Sequence, residues 1–276
     1  NGHIVSGTLQ GDAEYFGFFC CCDENSEITN LHMAATVTST SSSGSSNIGS
    51  IAGRAYKITG CSNSGNITGN NYTGKIGGIA GLTFSISGCV NTGKIDGGSS
   101  KDKYIGGIVG DIVVDCSDCY NSGEVTGQGS GYYYYYIGGI VGGQGMSSTL
   151  KMEGCTNIGK VGSPSSTFTG GILGNVGSLT LIRCTNHGEV IGGTGRESYT
   201  GGIGGRLFSG GSFHLCHNSG TVTAGSGNRS YTGGLIGHYE SSSTITVYDC
   251  CTNTGTPDQW IGSNATYEPV QCEEHH

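Results

Sequence analysis

The sequence predicts an all-β fold, a parallel β-solenoid (β-helix) of about eight coils, each roughly 28–36 residues long with three short strands. Two repeated motifs and the glycine content support this prediction. The motifs recur along most of the chain, which is typical of a repeat array whose units bury their apolar residues only by stacking. The chain contains 55 glycines among 276 residues, which argues against helices, since glycine is a poor helix former.

The first motif is Cys-x-Asn-x-Gly, followed two residues later by an aliphatic residue. Its cysteines, 28 to 36 residues apart, form the cysteine column: Cys61, Cys89, Cys119, Cys155, Cys184, Cys216 and Cys251. Its asparagines form the asparagine column: Asn63, Asn91, Asn121, Asn157, Asn186, Asn218 and Asn253. Asn-x-Gly predicts a corner, because both residues tolerate a left-handed backbone. Stacked asparagines are also expected to hydrogen-bond amide to amide between coils.

The second motif begins with an aromatic residue, continues with one variable residue and ends with Gly-Gly-aliphatic-x-Gly, as in residues 104–110 and 231–237. An alternating apolar run then leads to the next cysteine, and such alternation over a few residues is a strand pattern. Equivalent residues of stacked coils lie about 4.8 Å apart. We therefore expect one interior aliphatic column at Ile79 and its equivalents and another at Ile67 and its equivalents. The Gly-Gly pair predicts a place where a side chain would collide with a neighbouring wall or a bend.

The repeats divide the chain into three parts. Residues 1–27 form a degenerate N-terminal coil or cap, residues 28–250 the regular repeats, and residues 251–276 a C-terminal coil with a polar tail. In the first regular coil, we align Ile28 with the cysteine column and Asn30 with the asparagine column. Near the C-terminus, we align Trp260 with the aromatic position of the second motif.

The Gly-Gly-(Ile/Leu)-x-Gly units resemble the GLUG repeats of secreted and cell-surface proteins. The resemblance extends over residues 28–263. GLUG repeats occur in bacterial adhesin-like proteins and beside the protease domain of some immunoglobulin-cleaving enzymes. The resemblance implies a repetitive β-structure at a cell surface and leaves the ligand open. The cysteine in every unit departs from the pattern of the bacterial repeats.

Composition favours a secreted or cell-surface protein. The formal net charge is −8 and charged residues make up 12% of the chain, which disfavours a nucleic-acid partner. No segment approaches the roughly 20 apolar residues of a membrane span. The chain starts with Asn1, which we interpret as the result of signal-peptide removal. Four sequons mark candidate N-glycosylation sites, against the alternative that they occur by chance: Asn66, Asn71, Asn228 and Asn264.

The cysteine column admits two interpretations, buried free thiols or disulfides between neighbouring coils. The spacing suits a disulfide, but parallel side-chain vectors hold the Cβ atoms slightly too far apart, which favours thiols. The six other cysteines are candidates for local disulfides or, because the total is odd, for a bond to another chain: Cys20, Cys21, Cys22, Cys116, Cys250 and Cys272. Zinc at Cys116-x-x-Cys119 is disfavoured because no second pair completes a tetrahedral site. We expect no metal and no cofactor.

No catalytic motif emerges from the sequence. The acidic residues are scattered over different loops, and Asp115 and Asp118 make the sole small cluster, which we interpret as solvated loop charges. We therefore expect the protein not to be an enzyme, with a polysaccharide-active β-helix enzyme ranked below the other functions. Threonine positions before the Gly-Gly pairs suggest an ice-binding ladder, but isoleucine interrupts it.

The leading functional hypothesis is an extracellular structural protein that stacks end to end with copies of itself into a filament or surface layer. Its basis is that solenoid ends expose unpaired strand edges, and that head-to-tail contacts propagate openly. The alternative is an adhesin or glycan-binding module. Its candidate contact surface is aromatic: Tyr132, Tyr133, Tyr134, Tyr135, Tyr136 and Trp260.

Overall fold

The computed structural model describes residues 4–42, 45–99, 103–128, 134–145, 149–164, 167–240, 245–248, 251–257, 259–262 and 269–270. In this part of the chain every regular element is a β-strand, and the strands pair in parallel, coil upon coil. The predicted parallel β-solenoid is therefore confirmed. Among the same residues, no helix is long and apolar enough to cross a membrane.

Each regular coil passes through four sheets, one more strand position than predicted. The first motif supplies two two-residue strands, because its Asn-x-Gly corner interrupts the pairing between them. The first sheet contains the asparagine of each motif: Ile4–Val5, His32–Met33, Ser62–Asn63, Val90–Asn91, Tyr120–Asn121, Thr156–Asn157, Thr185–Asn186, His217–Asn218 and Thr252–Asn253. The second sheet begins after the corner: Thr8–Gly11, Thr36–Ser39, Ile67–Thr68, Ile95–Asp96, Val125–Thr126, Val161–Gly162, Val190–Ile191 and Val222–Thr223.

The third and fourth sheets meet at the Gly-Gly pair. The third sheet contains Tyr15–Phe16, Ser46–Gly49, Thr73–Gly77, Lys103–Gly106, Tyr135–Gly138, Thr167–Gly170, Glu197–Gly201 and Arg229–Gly233. The fourth sheet contains Phe19–Cys21, Glu27–Thr29, Ala52–Thr59, Ala80–Ser87, Val109–Ser117, Val141–Gly143, Thr149–Glu153, Leu173–Val176, Ser178–Ile182, Gly204–Leu207, Gly211–His214, Ile236–Tyr239, Ile245–Tyr248 and Pro269–Val270.

The interior has two apolar compartments. The larger one holds residues of the first and fourth sheets, including the cysteine column and the aliphatic column at Ile79. The smaller one holds residues of the second and third sheets, including the column at Ile67. Both predicted aliphatic columns are buried throughout, which confirms them: Ile79, Ile108, Ile140, Ile172, Ile203 and Leu235, and Ile67, Ile95, Val125, Val161, Val190 and Val222.

The asparagine column and the Gly-Gly corners meet between the compartments. A Cβ atom added to Gly139 would lie 2.1 Å from the carbonyl oxygen of Gly171 and 2.3 Å from the Cγ atom of Asn157. Real Cβ atoms do not approach this closely, so the collision predicted for the Gly-Gly pair is confirmed. The absence of a side chain lets the two walls touch there.

The reason proposed for glycine in Asn-x-Gly was wrong. Gly93 does not have a left-handed backbone; a Cβ atom there would lie 2.0 Å from the carbonyl oxygen of Gly65 in the preceding coil. The left-handed corner lies one residue before the cysteine, with φ between 51° and 64°. It contains glycine and other residues: Gly60, Gly88, Asp118, Gly154, Arg183 and Leu215.

Two alignments at the solenoid ends were also wrong. Asn63 pairs with Met33, so Met33 and not Asn30 occupies the asparagine position of its coil. Ile28 pairs with Ile58 on the fourth sheet, while Asn30 forms the left-handed corner with φ 53°. At the other end, Ile261 bridges Ile236, so the preceding Trp260 follows Leu235 in the aliphatic column. In both cases the residue type matched the motif, but the strand pairing places that residue at a different position in its coil.

Candidate contact surfaces

The asparagine column is a continuous chain of buried amides. Each Nδ2 donates to the Oδ1 of the asparagine in the next coil at 2.8–3.0 Å, from Asn63 to Asn253. From Asn63 to Asn218, the same Nδ2 also donates to the motif glycine carbonyl at 2.8–3.2 Å. Asn253 ends the chain by donating to the carbonyl of Pro257 at 2.8 Å. The column is thus a structural element with its hydrogen bonds directed inward and along the axis.

The cysteine column lines the larger compartment. From Cys61 to Cys216, each cysteine is a free thiol that donates to the carbonyl two residues earlier at 3.2–3.5 Å. Cys251 continues the column, and its Sγ accepts from the backbone N–H of Cys216 at 3.4 Å. The hydrogen bond with Cys119, together with burial, raises the pKa of Cys89 to about 12. The Cys89 thiol thus satisfies a corner carbonyl and is a poor nucleophile at neutral pH.

The remaining cysteines are divided between the core and the N-terminal coil. Cys116 is buried in the larger compartment, with its Sγ 3.6 Å from the Sγ of Cys155. Cys20 and Cys21 are exposed free thiols, and Cys22 is half-buried. Cys250 and Cys272 lie outside the residues that the structure describes.

One aromatic residue from each of five successive coils forms an aromatic stack on the outer side of the third sheet: Tyr104, Tyr136, Phe168, Tyr199 and Tyr231. Neighbouring ring centroids are 4.7–5.5 Å apart. The Tyr104–Tyr136 and Phe168–Tyr199 pairs are nearly parallel, with interplanar angles of 22° and 11°. The ring faces therefore pack against one another, and Phe168 is fully buried. A sugar stacks on an exposed ring face, which the middle of this stack does not offer.

The predicted aromatic contact surface is only partly an outer surface. Tyr134 is 37% exposed and stacks on Phe168, whereas Tyr135 is fully buried in the smaller compartment, which removes it from any contact surface. Tyr136 belongs to the aromatic stack. Trp260 is half-buried against the larger compartment, where it covers the last aliphatic residues. Tyr132 and Tyr133 lie outside the described residues.

The aromatic stack faces a column of polar residues on the fourth sheet, paired in register as Asn175, Arg206 and His238. We call these three residues the polar rungs. The guanidinium carbon of Arg206 lies 4.8 Å from the Phe168 ring centroid, and its Nη2 forms an ion pair with Glu240. Three buried atoms of the polar rungs have no hydrogen-bond partner within the described chain: Asn175 Oδ1, Arg206 Nε and His238 Nδ1.

The polar rungs thus offer hydrogen-bond donors and acceptors, and the positive charge of Arg206 is balanced by Glu240. Burial lowers the pKa of His238, and the neighbouring Arg206 cation acts in the same direction while Glu240 opposes it. The His238 ring lies 4.3 Å from Tyr199 and 4.8 Å from Tyr231, measured between centroids. The sequence signal for this site was the aromatic position of the second motif. The identity of the facing column could not be inferred from it, because that column varies from coil to coil.

The described acidic residues near Cys116 make different contacts. Asp115 accepts a hydrogen bond from Ser85 Oγ at 2.9 Å, whereas Asp118 occupies a left-handed corner. Asp111 forms an ion pair with Lys75 at 2.7 Å. In the part of the chain that the structure describes, no group of three or more His, Cys, Asp or Glu residues is placed to hold a metal ion.

Three of the candidate glycosylation residues are exposed: Asn66, Asn71 and Asn228. The Oδ1 atoms of Asn66 and Asn71 accept hydrogen bonds from Lys94 N–H and Ser99 Oγ at 3.1 Å and 2.6 Å. Neither bond uses the side-chain nitrogen to which a glycan is attached. Asn264 lies outside the described residues.

The N-terminal coil exposes both strand edges and apolar side chains. Within the described residues, its strands Ile4–Val5, Thr8–Gly11, Tyr15–Phe16 and Phe19–Cys21 each pair with a strand on one side. Ile4, Phe18 and Phe19 are 66%, 44% and 39% exposed. The described end of the solenoid therefore combines unpaired backbone groups with an apolar surface.

No protein-family model matches the chain, and no curated protein matches its sequence. Among solved structures, the chain is similar to a Bacteroides ovatus protein described as a putative immunoglobulin A1 protease. The two share 17% sequence identity with a TM-score of 0.57, and the match covers 91% of this chain and 78% of that one. At this identity the similarity extends to the fold alone, which places the chain among β-solenoid proteins.

Proposed function

We propose that the chain is a secreted structural β-solenoid, not an enzyme, that associates end to end with copies of itself into a filament or surface layer. The observation that carries the proposal is the N-terminal coil, where the described strands have an unpaired edge beside exposed Phe18 and Phe19. A parallel strand edge binds another strand through backbone hydrogen bonds, and buried phenylalanines strengthen such a contact.

The body of the solenoid supports a structural role. Its polar side chains are largely used in contacts between coils, as in the asparagine column and the ion pairs Lys94–Glu124 at 2.8 Å and Lys160–Glu189 at 3.0 Å. The aromatic stack likewise uses its ring faces within the molecule. The resemblance to GLUG repeats of surface proteins is in keeping with this role and with an extracellular location.

The experiment is light scattering of the purified chain over a range of concentrations, followed by negative-stain microscopy. We expect the mass to rise with concentration, and particles whose lengths are multiples of a solenoid of about 40 Å. The double variant Phe18→Ser, Phe19→Ser should remain monomeric. Tyr134→Ser, which removes an exposed aromatic residue away from the end, should assemble like the parent. A parent protein that stays monomeric at every concentration contradicts the proposal.

A second candidate function, glycan binding, is favoured by the polar rungs. Among the residues that the structure describes, Asn175 Oδ1 is a buried acceptor without a donor, and Arg206 Nε is a buried donor without an acceptor. A sugar hydroxyl group both donates and accepts hydrogen bonds. Sugar hydroxyls therefore suit both the Asn175 acceptor and the Arg206 donor. Because Arg206 is paired with Glu240, a neutral sugar fits better than an acidic one.

A glycan array tests this second candidate. We expect binding of neutral oligosaccharides that is lost in Asn175→Ala and kept in Thr92→Ala, a control on the opposite, first-sheet side. Equal binding by both variants, or no binding by the parent, would reject the candidate. The filament proposal does not depend on this result.

A further inference from the structure

Cys116 differs from the residues at its position in the other coils. It lies on the fourth sheet and pairs in register with Ile86 in one neighbouring coil and Met152 in the other. Both neighbours are large apolar residues that fill the larger compartment, and both are fully buried. Cys116 therefore adds a second buried thiol to a compartment that the cysteine column already lines.

The Cys116 thiol contacts a thiol from the adjacent coil. Its Sγ lies 3.6 Å from the Sγ of Cys155, and Cys155 Sγ also donates to the Cys116 carbonyl at 3.6 Å. Both residues are at most 1% exposed. Members of the cysteine column project in parallel from equivalent positions, which separates their Cβ atoms. Cys116 instead projects from the fourth sheet and Cys155 from the corner before the first sheet, so their side chains converge, as a disulfide requires.

We propose that Cys116 and Cys155 form a disulfide that links two neighbouring coils when the chain folds in the presence of a low-molecular-weight disulfide. A thiolate of one cysteine attacks the small disulfide, forming a mixed disulfide and releasing one small thiolate. The thiolate of the other cysteine then attacks the protein-bound sulfur, forming the Cys116–Cys155 bond and releasing the second thiolate. Two protein thiols are thus oxidised and one small disulfide is reduced to two thiols.

In the folded chain the sulfurs of Cys116 and Cys155 lie 3.6 Å apart, so the packed coil holds these two residues together. Because the sulfurs are buried in the finished coil, exchange occurs before residues 116–155 have closed, and packing then retains the bond. The remaining column cysteines stay as thiols that satisfy corner carbonyls.

The test is to refold the reduced, denatured chain in a buffer of reduced and oxidised glutathione. Remaining thiols are alkylated at acidic to neutral pH, and the digest is analysed by mass spectrometry. We expect a peptide pair joined through Cys116 and Cys155, two hydrogens lighter than the sum of the free peptides. Reductant should lower the melting temperature of the parent and leave that of Cys116→Ile unchanged. Isoleucine is chosen because Ile86 fills the same position in the neighbouring coil.

A matched control is Cys184→Ala, which removes a column thiol and should keep the cross-link. Oxidation of the exposed Cys20 or Cys21 reports that the glutathione disulfide is active. If these exposed cysteines are oxidised while Cys116 is fully alkylated in the folded fraction, the proposal is overturned. It is also overturned if Cys116 is joined mainly to Cys119 or to another cysteine. Should Cys116→Ile fail to fold, the linked-peptide analysis of the parent decides alone.

Discussion

The middle coils and the first regular coil, which contains Met33, pair with the next coil through the same backbone hydrogen bonds although their side chains differ. In the middle, the backbone N–H of Thr92 donates to the carbonyl of Asn63 at 2.9 Å. At the N-terminal end, the equivalent bond runs from Ser64 N–H to the carbonyl of Met33 at 2.8 Å. Methionine therefore supports the same backbone pairing as asparagine. The pairing between these coils therefore does not depend on the asparagine side chain.

The two regions differ in whether neighbouring coils can satisfy the amide of a buried asparagine. A buried asparagine needs partners for both its Nδ2 and its Oδ1, because an unsatisfied buried amide costs about 1–3 kcal/mol. In the middle each asparagine has one in both neighbouring coils, but the residue beyond Met33 is Val5, which has no polar side chain to offer. At the other end, Asn253 uses the Pro257 carbonyl instead. The motif asparagine is thus kept where its Nδ2 and Oδ1 both have partners, as at Asn157 and Asn253.

The largest predicted effect comes from adding a methyl group where the two walls touch. Gly139→Ala places a Cβ atom 2.1 Å from the Gly171 carbonyl oxygen, against backbone that cannot move without breaking the stacking. We expect the free energy of unfolding in urea to fall by about 4 kcal/mol or more, with loss of soluble protein. The control is Gly145→Ala, where no atom of the described residues lies within 4 Å of the added Cβ, and the expected change is within about 0.5 kcal/mol. Equal effects of the two substitutions would contradict the contact.

An exchange of residues between the two regions tests the comparison directly. Asn157→Met leaves an N–H of Asn121 without its acceptor and Asn186 Oδ1 without one of its donors, so we expect a loss of about 3 kcal/mol. Met33→Asn places an amide over Val5 and should lose about 1–2 kcal/mol. Urea unfolding measures both. If Met33→Asn stabilised the protein, the amide column would not depend on having neighbours on both sides.

The sequence predicted the features that repeat and missed those that vary. The columns at Asn63, Ile67 and Ile79 and the collision at the Gly-Gly pair follow from motif spacing alone. The left-handed corner could not be found, because glycine, aspartate, arginine and leucine all occupy it, and their common property is a backbone angle. Met33 was missed because no motif contains methionine, although the register places it in the asparagine column.

The candidate surfaces were harder to predict than the fold. A run of adjacent tyrosines suggested an exposed strip, but strand alternation turns Tyr135 inward and leaves Tyr134 outside. The aromatic stack runs across coils instead, and whether its faces are exposed depends on ring orientation, which spacing does not contain. Similarly, Cys116 and Cys155 project from two different walls of the larger compartment, so motif spacing alone does not predict their contact.

A smaller effect is expected at the left-handed corner. Gly60, Gly88 and Gly154 adopt this backbone without strain, whereas Leu215 adopts it with φ 53° and is 43% exposed. A non-glycine residue in the left-handed region costs about 1–2 kcal/mol, partly offset by the greater freedom of glycine in the unfolded chain. Leu215→Gly should therefore raise the free energy of unfolding by about 0.5–1 kcal/mol.

The control for Leu215→Gly is the same change at Ile158, which is 45% exposed and has an ordinary negative φ. At residue 158, glycine also gives the unfolded chain more backbone freedom, but the substitution relieves no backbone strain in the folded chain. Ile158→Gly should thus destabilise by about 0.5–1 kcal/mol. Thermal unfolding of both variants decides, and a destabilised Leu215→Gly would show that the leucine contacts outweigh the strain.

The smallest effect distinguishes the two regions by their response to pH. On the outer fourth sheet, Asp111 of a middle coil is ion-paired, whereas His238 near the C-terminal end is held by burial, which lowers the pKa of His238 below 6.5. The folded state therefore prefers neutral histidine, and the unfolded state binds the proton first as the pH falls. The stabilisation is present above about pH 6.5 and is lost as the pH falls through the lower folded pKa. We expect His238→Gln to lose less unfolding free energy between pH 7 and pH 5 than the parent. Identical pH slopes for the parent and His238→Gln would mean that the polar rungs do not bury a titrating group.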